Sequence, residues 1–440
     1  MTAVAARLQT DGRLPSLVAG ITRGPELAWS CGRGDVDGAT PDDDVQYRIG
    51  SITKTVTAIA VMRLRDEGVL SLDDPVERHV PGTPYGDRTV GQLLGHSGGL
   101  SAESPTQWWE RSEGLSWAEL IARLSDEDVK HPAGRRFHYS NLGYAVLGEV
   151  LSRSRHKPWA DVLRDEVLLP LGMTRTTTRP SGRAAQGYAV HPWADVVLRE
   201  PEHDAGAMGP AGQLWATLTD LGRFAWFLLG HTGDVLDPST LEEMAGPGTV
   251  DGSSLGWSAY GLGLQVIRVE GRTYVGHGGS MPGFIAGVFV DPLEQTGAVA
   301  ATNATSGLAT GGLISLLDIV RQNEPHVVEP WRPSSSVDPE TLELTGTWYW
   351  GTSAYGLRLT ADGLLHLLGL QGAGRESRFR RRGDAWVGLD GYHAGETLRP
   401  VHESGSVVAL DLGSFVFSRT PYDAVAPIPG GVDPDGWQPA

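Results

Sequence analysis

Cysteine is almost missing: Cys31 is the only one in 440 residues, which excludes an internal disulfide framework and a thiolate metal cluster. Long apolar runs are missing too, and none approaches the ~18 residues of a membrane span. Met1 to Gly20 lacks a basic segment followed by an apolar one, so no secretory leader is expected, and a cytoplasmic location is. Positive charge is in short supply. A net charge of −17 argues against nucleic acid or an anionic membrane as partner. The 13 histidines show no His-x-His or His-Glu-x-x-His spacing, so no metal is expected. No glycine-rich phosphate cradle with a following Lys precedes a helix, and no cofactor is expected.

Lysine is the most telling scarcity. Of 36 basic residues only Lys54, Lys130 and Lys157 are lysines; the rest are arginines. An arginine cannot give up its proton at ordinary pH, whereas a lysine can. A chain that writes Arg nearly everywhere has therefore kept Lys where a deprotonatable amine is needed. Lys54 stands in Arg48-Ile49-Gly50-Ser51-Ile52-Thr53-Lys54-Thr55-Val56, at the start of a strongly helical pattern ending near Glu67-Gly68. Three residues apart, Ser51 and Lys54 share one face of the first turn. A hydroxyl at the positive end of a helix beside an amine able to take its proton is a candidate nucleophile.

What is present describes a folded globular protein: 40% hydrophobic residues and 14 Trp, on a chain long enough for two or three domains. Leu17–Ile21 and Leu27–Ser30, separated by Arg23-Gly24-Pro25, read as a hairpin. Residues 66–230 are mostly helical in pattern: Val90–Leu94, Trp117–Leu124, Gly143–Ser152, Trp159–Val167 and Leu221–Leu229. Tyr260–Ile267, Thr273–His277, Phe284–Val290 and Ala298–Thr302 are strand-like, and a helix follows at Gly311–Gln322. Strands at both ends with helices between predict a mixed sheet built from distant segments. A Pro/Ser-rich stretch at 330–338 reads as a linker. Beyond it, from 339 to 440, seven strand-like runs between Gly346 and Arg419 predict a small barrel or sandwich, with a Pro/Gly-rich tail from Pro421.

Two decoys compete with Ser51. Ser154-Arg155-His156-Lys157 repeats the spacing, but no buried helix follows it. Gly95-His96-Ser97-Gly98-Gly99 matches a nucleophile elbow, yet an elbow needs a strand before its serine, and Val90–Leu94 reads as helix. Two further stations favour Ser51. Tyr139-Ser140-Asn141 places a phenol and an amide in a loop before a helix, where Ser140 or Asn141 also serves as N-cap. His277-Gly278-Gly279-Ser280 ends a strand-like run, and its two glycines let a substrate backbone approach the strand edge closely.

These three stations, in this order, resemble the penicillin-recognising serine hydrolases: class C β-lactamases, D-aminopeptidases, DD-peptidases and related esterases. The resemblance spans about residues 10–325 and includes Leu93-Leu94-Gly95-His96-Ser97-Gly98-Gly99-Leu100, Pro170-Leu171-Gly172-Met173 and Pro210-Ala211-Gly212-Gln213-Leu214. It implies an α+β catalytic domain at 1–329, an α/β sandwich with a mixed antiparallel sheet and an inserted helical region. It further implies that Ser51 forms an acyl-enzyme, with Lys54 buried as base and Tyr139 shuttling protons; which of the two takes the first proton stays open. Asn141 would hold the substrate amide and orient Lys54. The backbone N–H groups of Ser51 and Ser280 would form the oxyanion hole, flanked by Gly278 and Gly279. His277 would give a donor, or a positive charge, opposite Tyr139.

One departure narrows the chemistry. The β-lactamase form of the third motif is Lys-Thr-Gly, whose charge and hydroxyl receive the antibiotic carboxylate, whereas here the residues are His277 and Gly278. Efficient β-lactamase action is therefore not expected. The pattern is closer to D-aminopeptidases, esterases and the penicillin-binding-protein-type thioesterases that cyclise nonribosomal peptides. Gly346-Thr347-Trp348 and Arg419 resemble the Trp–Arg pair of lipocalin-like barrels. A cluster of Arg375, Arg378, Arg380, Arg381 and Arg382 reads as a solvated strand face. Arg419 is a candidate for a substrate carboxylate, alongside its barrel-closing role. The expected substrate is a small peptide, ester or peptidyl thioester. A catalytically silent scaffold is the competing class, and nothing in the sequence speaks to oligomeric state.

Overall fold

Strands apolar on both faces require cover on both faces. In Ser16–Thr22 every residue is buried; Val18 joins one core, while Leu17, Ala19 and Ile21 join another. The same alternation divides Val288 and Val290 from Phe289, and Val299 and Ala301 from Ala298 and Ala300. The computed structural model describes residues 1–106, 108–251, 258–328, 330–336, 338–370, 374–413 and 415–421. The strands form an eight-stranded sheet in the order Leu27–Gly34, Ser16–Thr22, Thr296–Thr302, Phe284–Asp291, Arg272–Met281, Gln265–Val269, Ser258–Tyr260, Thr249–Asp251. Every pairing in it is antiparallel. The hairpin of the first strands joins the later ones through Leu17–Thr22 against Gly297–Thr302.

The helices Thr2–Asp11 and Thr310–Asn323 cover one face. Ile52–Asp66, Asn141–Arg155 and Leu218–Leu228 pack into the core of the other. Ile52–Asp66 is buried almost all round, with only Arg63, Arg65 and Asp66 outside its buried set. The expected strand Tyr260–Ile267 is instead two strands, because Gly261-Leu262-Gly263 turns the chain and Gly263 takes φ +84°. Among the described residues no helix is long and apolar enough to cross a membrane.

The contacts divide the chain into two compact units, Met1–Val327 and Val328–Ala440. The second contains a closed barrel of eight sequential strands, one more than expected. The additional strand is Ser377–Arg382, where Ser377 and Phe379 point inward and Arg378 and Arg380 outward. Trp348 is fully buried and donates its Nε1–H to the Leu344 carbonyl at 2.7 Å. The Arg419 guanidinium lies 3.6 Å above the Trp348 ring and donates to the carbonyls of Thr345 and Glu343. Arg419 is thus engaged as the clasp of the barrel. In place of a free guanidinium awaiting a substrate carboxylate, the structure shows one already bonded to three groups of its own unit. The tail beyond Pro421 lies outside the described residues.

Candidate active site

Ser51 sits at the N-cap of the helix Ile52–Asp66, yet its hydroxyl makes no capping bond to the backbone. A serine at an N-cap normally spends its oxygen on an orphan N–H; this one has no backbone partner, and accepts from Lys54 Nζ at 3.0 Å. The turn before it demands glycine. Gly50 has φ +51°, and a Cβ there would lie 2.6 Å from the backbone nitrogen of Ser280. A Cβ on Gly279 would lie 1.9 Å from the Ile49 carbonyl oxygen and 3.0 Å from the Ser51 nitrogen. Two glycines therefore let the strand Arg272–Met281 press against the nucleophile turn. The backbone nitrogens of Ser51 and Ser280 come together there, the arrangement an oxyanion hole requires.

The segment Pro210–Ala216 fastens the other side. Ile49 N–H donates to Leu214 O at 2.8 Å, Thr57 Oγ1 to Pro210 O at 3.0 Å and Lys54 Nζ to Ala211 O at 2.7 Å. Lys54 is completely buried. Burial holds its pKa down at about 7, against the opposing pull of Glu103 and Glu110. Half-buried Tyr139 has its ring centroid 4.9 Å from Lys54 Nζ. Burial raises its phenol well above the usual range, with Ser51 opposing the shift, so it is a neutral proton carrier and not a phenolate at neutral pH. Ser140 is the N-cap of Asn141–Arg155 and accepts from Gly143 N–H at 3.0 Å.

His277 corrects the expectation of a charge opposite Tyr139. Its ring is 1% exposed. Burial, then the positive charge of Lys54, lowers its pKa to about 3. Nδ1 faces the Gly278 carbonyl, which only accepts, so Nδ1 bears the proton. Nε2 is left as the acceptor of the Tyr260 hydroxyl at 2.9 Å. The third corner of the site is neutral, and both ring nitrogens are already bonded. Asn141 is corrected as well: its Nδ2 donates to both oxygens of Glu103 at 3.0 and 2.9 Å, and the carbonyl that orients Lys54 is that of Ala211.

Sequence reasoning passed over Glu103, Tyr260 and His96. A lone acid in a loop and a tyrosine beside a glycine turn carry no periodic signal. His96 lay inside a quoted motif without a role. It takes φ +54°, its Nδ1 accepts from Ser140 N–H at 3.1 Å, and its ring centroid is 4.2 Å from that of Tyr139. The decoys have no such company. Ser97 follows a short helix and not a strand, and Lys157 pairs with Asp165 at 3.2 Å.

Ser51, Tyr139 and His277 line one cleft of about 360 Å³, with Gly278–Ser280 at its edge and Ile285, Leu308 and Leu313 forming an apolar wall. Among the described residues no group of three His, Cys, Asp or Glu is placed to hold a metal ion.

Known proteins resemble this chain in sequence and in fold. The chain is 30% identical over 255 residues to Beta-lactamase-like protein 2 of Dictyostelium discoideum, which aligns 54% of this chain and 46% of that protein; the chain thus spans under half of that relative's length. Penicillin-binding protein 4 of Amycolatopsis lactamdurans is 26% identical over 365 residues, covering 77% of this chain and 90% of that one. The crystal structure of a D-stereospecific amidohydrolase from Streptomyces sp. superposes with a TM-score of 0.63 at 26% identity, over 71% of this chain and 97% of the other. Residues 337–419 match a domain of unknown function, DUF7586. Residues 1–317 match the Beta-lactamase family, and the chain belongs to it.

Proposed function

We propose that the protein is a serine hydrolase that cleaves amide or ester bonds of small peptides through an acyl-Ser51 intermediate. The observation that carries this is the uncapped Ser51 hydroxyl, 3.0 Å from a buried amine whose pKa is about 7. At neutral pH a large fraction of Lys54 is unprotonated, whereas Tyr139 keeps its proton, so Lys54 is the first base. Ser51 Oγ bonds to the substrate carbonyl carbon as Lys54 takes its proton. The carbonyl oxygen, now negative, is received by the N–H groups of Ser51 and Ser280. The C–N or C–O bond then breaks as Tyr139 delivers a proton to the leaving group, and is reprotonated from Lys54. Water adds to the acyl carbon with the same groups in reverse and frees Ser51.

The neutral His277 and the missing hydroxyl at Gly278 remove what a β-lactam carboxylate would bind, so β-lactam turnover is slow in this reading. The uncapped hydroxyl beside an amine that loses its proton near pH 7 also stands against a silent scaffold. A second reading is a penicillin-binding-protein-type thioesterase that macrocyclises a peptide, with an amine in place of the water. It is favoured by the closed C-terminal barrel with its Trp348–Arg419 clasp. A peptidyl thioester with a free N-terminal amine separates the two. Mainly linear acid supports the hydrolase, mainly cyclic product supports the cyclase, and no turnover of thioester, ester or amide overturns both.

A further inference from the structure

We infer that the C-terminal barrel carries a ligand site of its own: Arg375, framed by Trp350, Tyr392 and Phe415 at the barrel mouth, receives the carboxylate of an aromatic acid. The topology sets the place. Eight sequential strands, each antiparallel to the next, put every second turn at the same end. One end carries the helix Pro339–Leu344 and the Trp348–Arg419 clasp. The opposite end gathers four turns. Trp350 closes the first strand there, Arg375 stands before Ser377–Arg382, and Phe415 opens the last strand. Tyr392 and His393 lie between Ala385–Gly388 and Thr397–Glu403. The interior is filled by Trp348, Leu365, Phe379, Leu398, Leu410 and Phe417, as small barrels usually are. A ligand is therefore received at the mouth and not inside.

Two neighbouring arginines have acids of their own: Arg378 pairs with Asp390 and Arg381 with Asp338. Arg375 has none. Its guanidinium carbon lies 5.2, 4.3 and 4.8 Å from the ring centroids of Trp350, Tyr392 and Phe415. Among the described residues it has no hydrogen-bond or ion-pair partner. Nη1 is buried without an acceptor, while Nε and Nη2 are neither bonded nor sealed off. Those two nitrogens form the edge that grips a carboxylate through parallel hydrogen bonds. A second unpaired nitrogen accompanies them. His393 is 2% exposed, and its buried Nε2 has no partner. Its ring centroid lies 5.0 Å from that of Tyr392 and 5.5 Å from that of Phe415. Burial, then the Arg375 charge, lowers its pKa, so the ring is neutral at pH 7 and close to the guanidinium. Unsatisfied buried nitrogens are rare and cost stability; an anion supplies the acceptor that both lack. Tyr392 is 59% exposed and Trp350 38%, which leaves ring surface for a flat apolar body beside the carboxylate.

The test is a fluorine NMR titration of para-fluorophenylpropionate, and of its primary amide, with the full-length Ser51→Ala protein, which cannot cleave the amide. The acid is expected to bind about tenfold more tightly than the amide, the worth of one charge-assisted hydrogen bond. Adding Arg375→Gln is expected to level the two, with an unchanged near-UV spectrum to show that the barrel is kept. Hydrogen exchange needs no variant at Arg375: the acid is expected to slow exchange in residues 374–379 and 391–396, and the amide is not. A tripeptide ending in phenylalanine, with its C-terminus free or amidated, identifies the source of the carboxylate. If the free peptide binds more tightly than the propionate, the site takes a peptide chain end; the reverse order assigns it a small aromatic acid. Equal binding of acid and amide, no binding of either acid, a preference that survives R375Q, or protection confined to the cleft at Ser51 overturns the inference.

Discussion

Lys54 carries two consequences of one burial. Its proton is lost near pH 7 in the folded chain but near 10.4 in the unfolded chain, so between these values the unfolded state binds more protons. Stability from this group therefore rises with pH across about 7 to 10.4, and the cost of burying the charge is greatest below pH 7. Lys54→Met is expected to melt higher than the native chain at pH 6, with the gap closing toward pH 10, and to lose acylation; thermal melts across pH check this. Activity on an ester is expected to rise through a single apparent pKa near 7, with no second limb between pH 5 and 9 from His277, which titrates at about 3. Ser51 and Lys54 were legible because spacing and the scarcity of lysine both marked them. Glu103 and the neutral state of His277 were not, since they depend on contacts with Asn141 and Tyr260, 38 and 17 residues distant.

At the scale of elements, the site is a strand end pressed onto a helix start. Gly279→Ala is expected to lower kcat by about a hundredfold or more, the loss of an aligned oxyanion donor, because its Cβ must displace the Ile49 carbonyl. Ester kinetics beside a circular dichroism spectrum measure it. The turn at His96 holds Ser140 and supports Tyr139. His96→Ala is expected to cost about 1–3 kcal/mol by leaving the buried Ser140 N–H unpaired, and His96→Asn, whose oxygen can replace Nδ1, to recover part of it in urea melts. Gly278 and Gly279 were readable as room for a substrate backbone, but not that the chain's own Ile49 carbonyl fills the space at Gly279, nor that Gly50 meets Ser280. Ser377–Arg382 was passed over for a related reason: its arginines hid a two-residue alternation that becomes visible only once Phe379 is seen inside the barrel.

For the molecule as a whole, strand-like runs at both ends of a helical region announced a mixed sheet built from distant segments, and the change after the Pro/Ser-rich stretch announced a separate β unit. The order of strands was beyond reach, because the first hairpin pairs with a segment about 280 residues later, and no local pattern encodes that partner. The barrel depends on Trp348 as its largest buried side chain. Trp348→Ala is expected to destabilise that unit by about 3–5 kcal/mol, seen as faster hydrogen exchange in its strands. The central claim concerns Ser51, and the most direct measurement is intact and tandem mass spectrometry of the folded protein after fluorophosphonate treatment across pH 5 to 9. The account predicts one adduct, on Ser51, forming faster as pH passes about 7 and absent in Ser51→Ala. An unmodified Ser51, or an adduct on Ser97 or Ser154 instead, would contradict it.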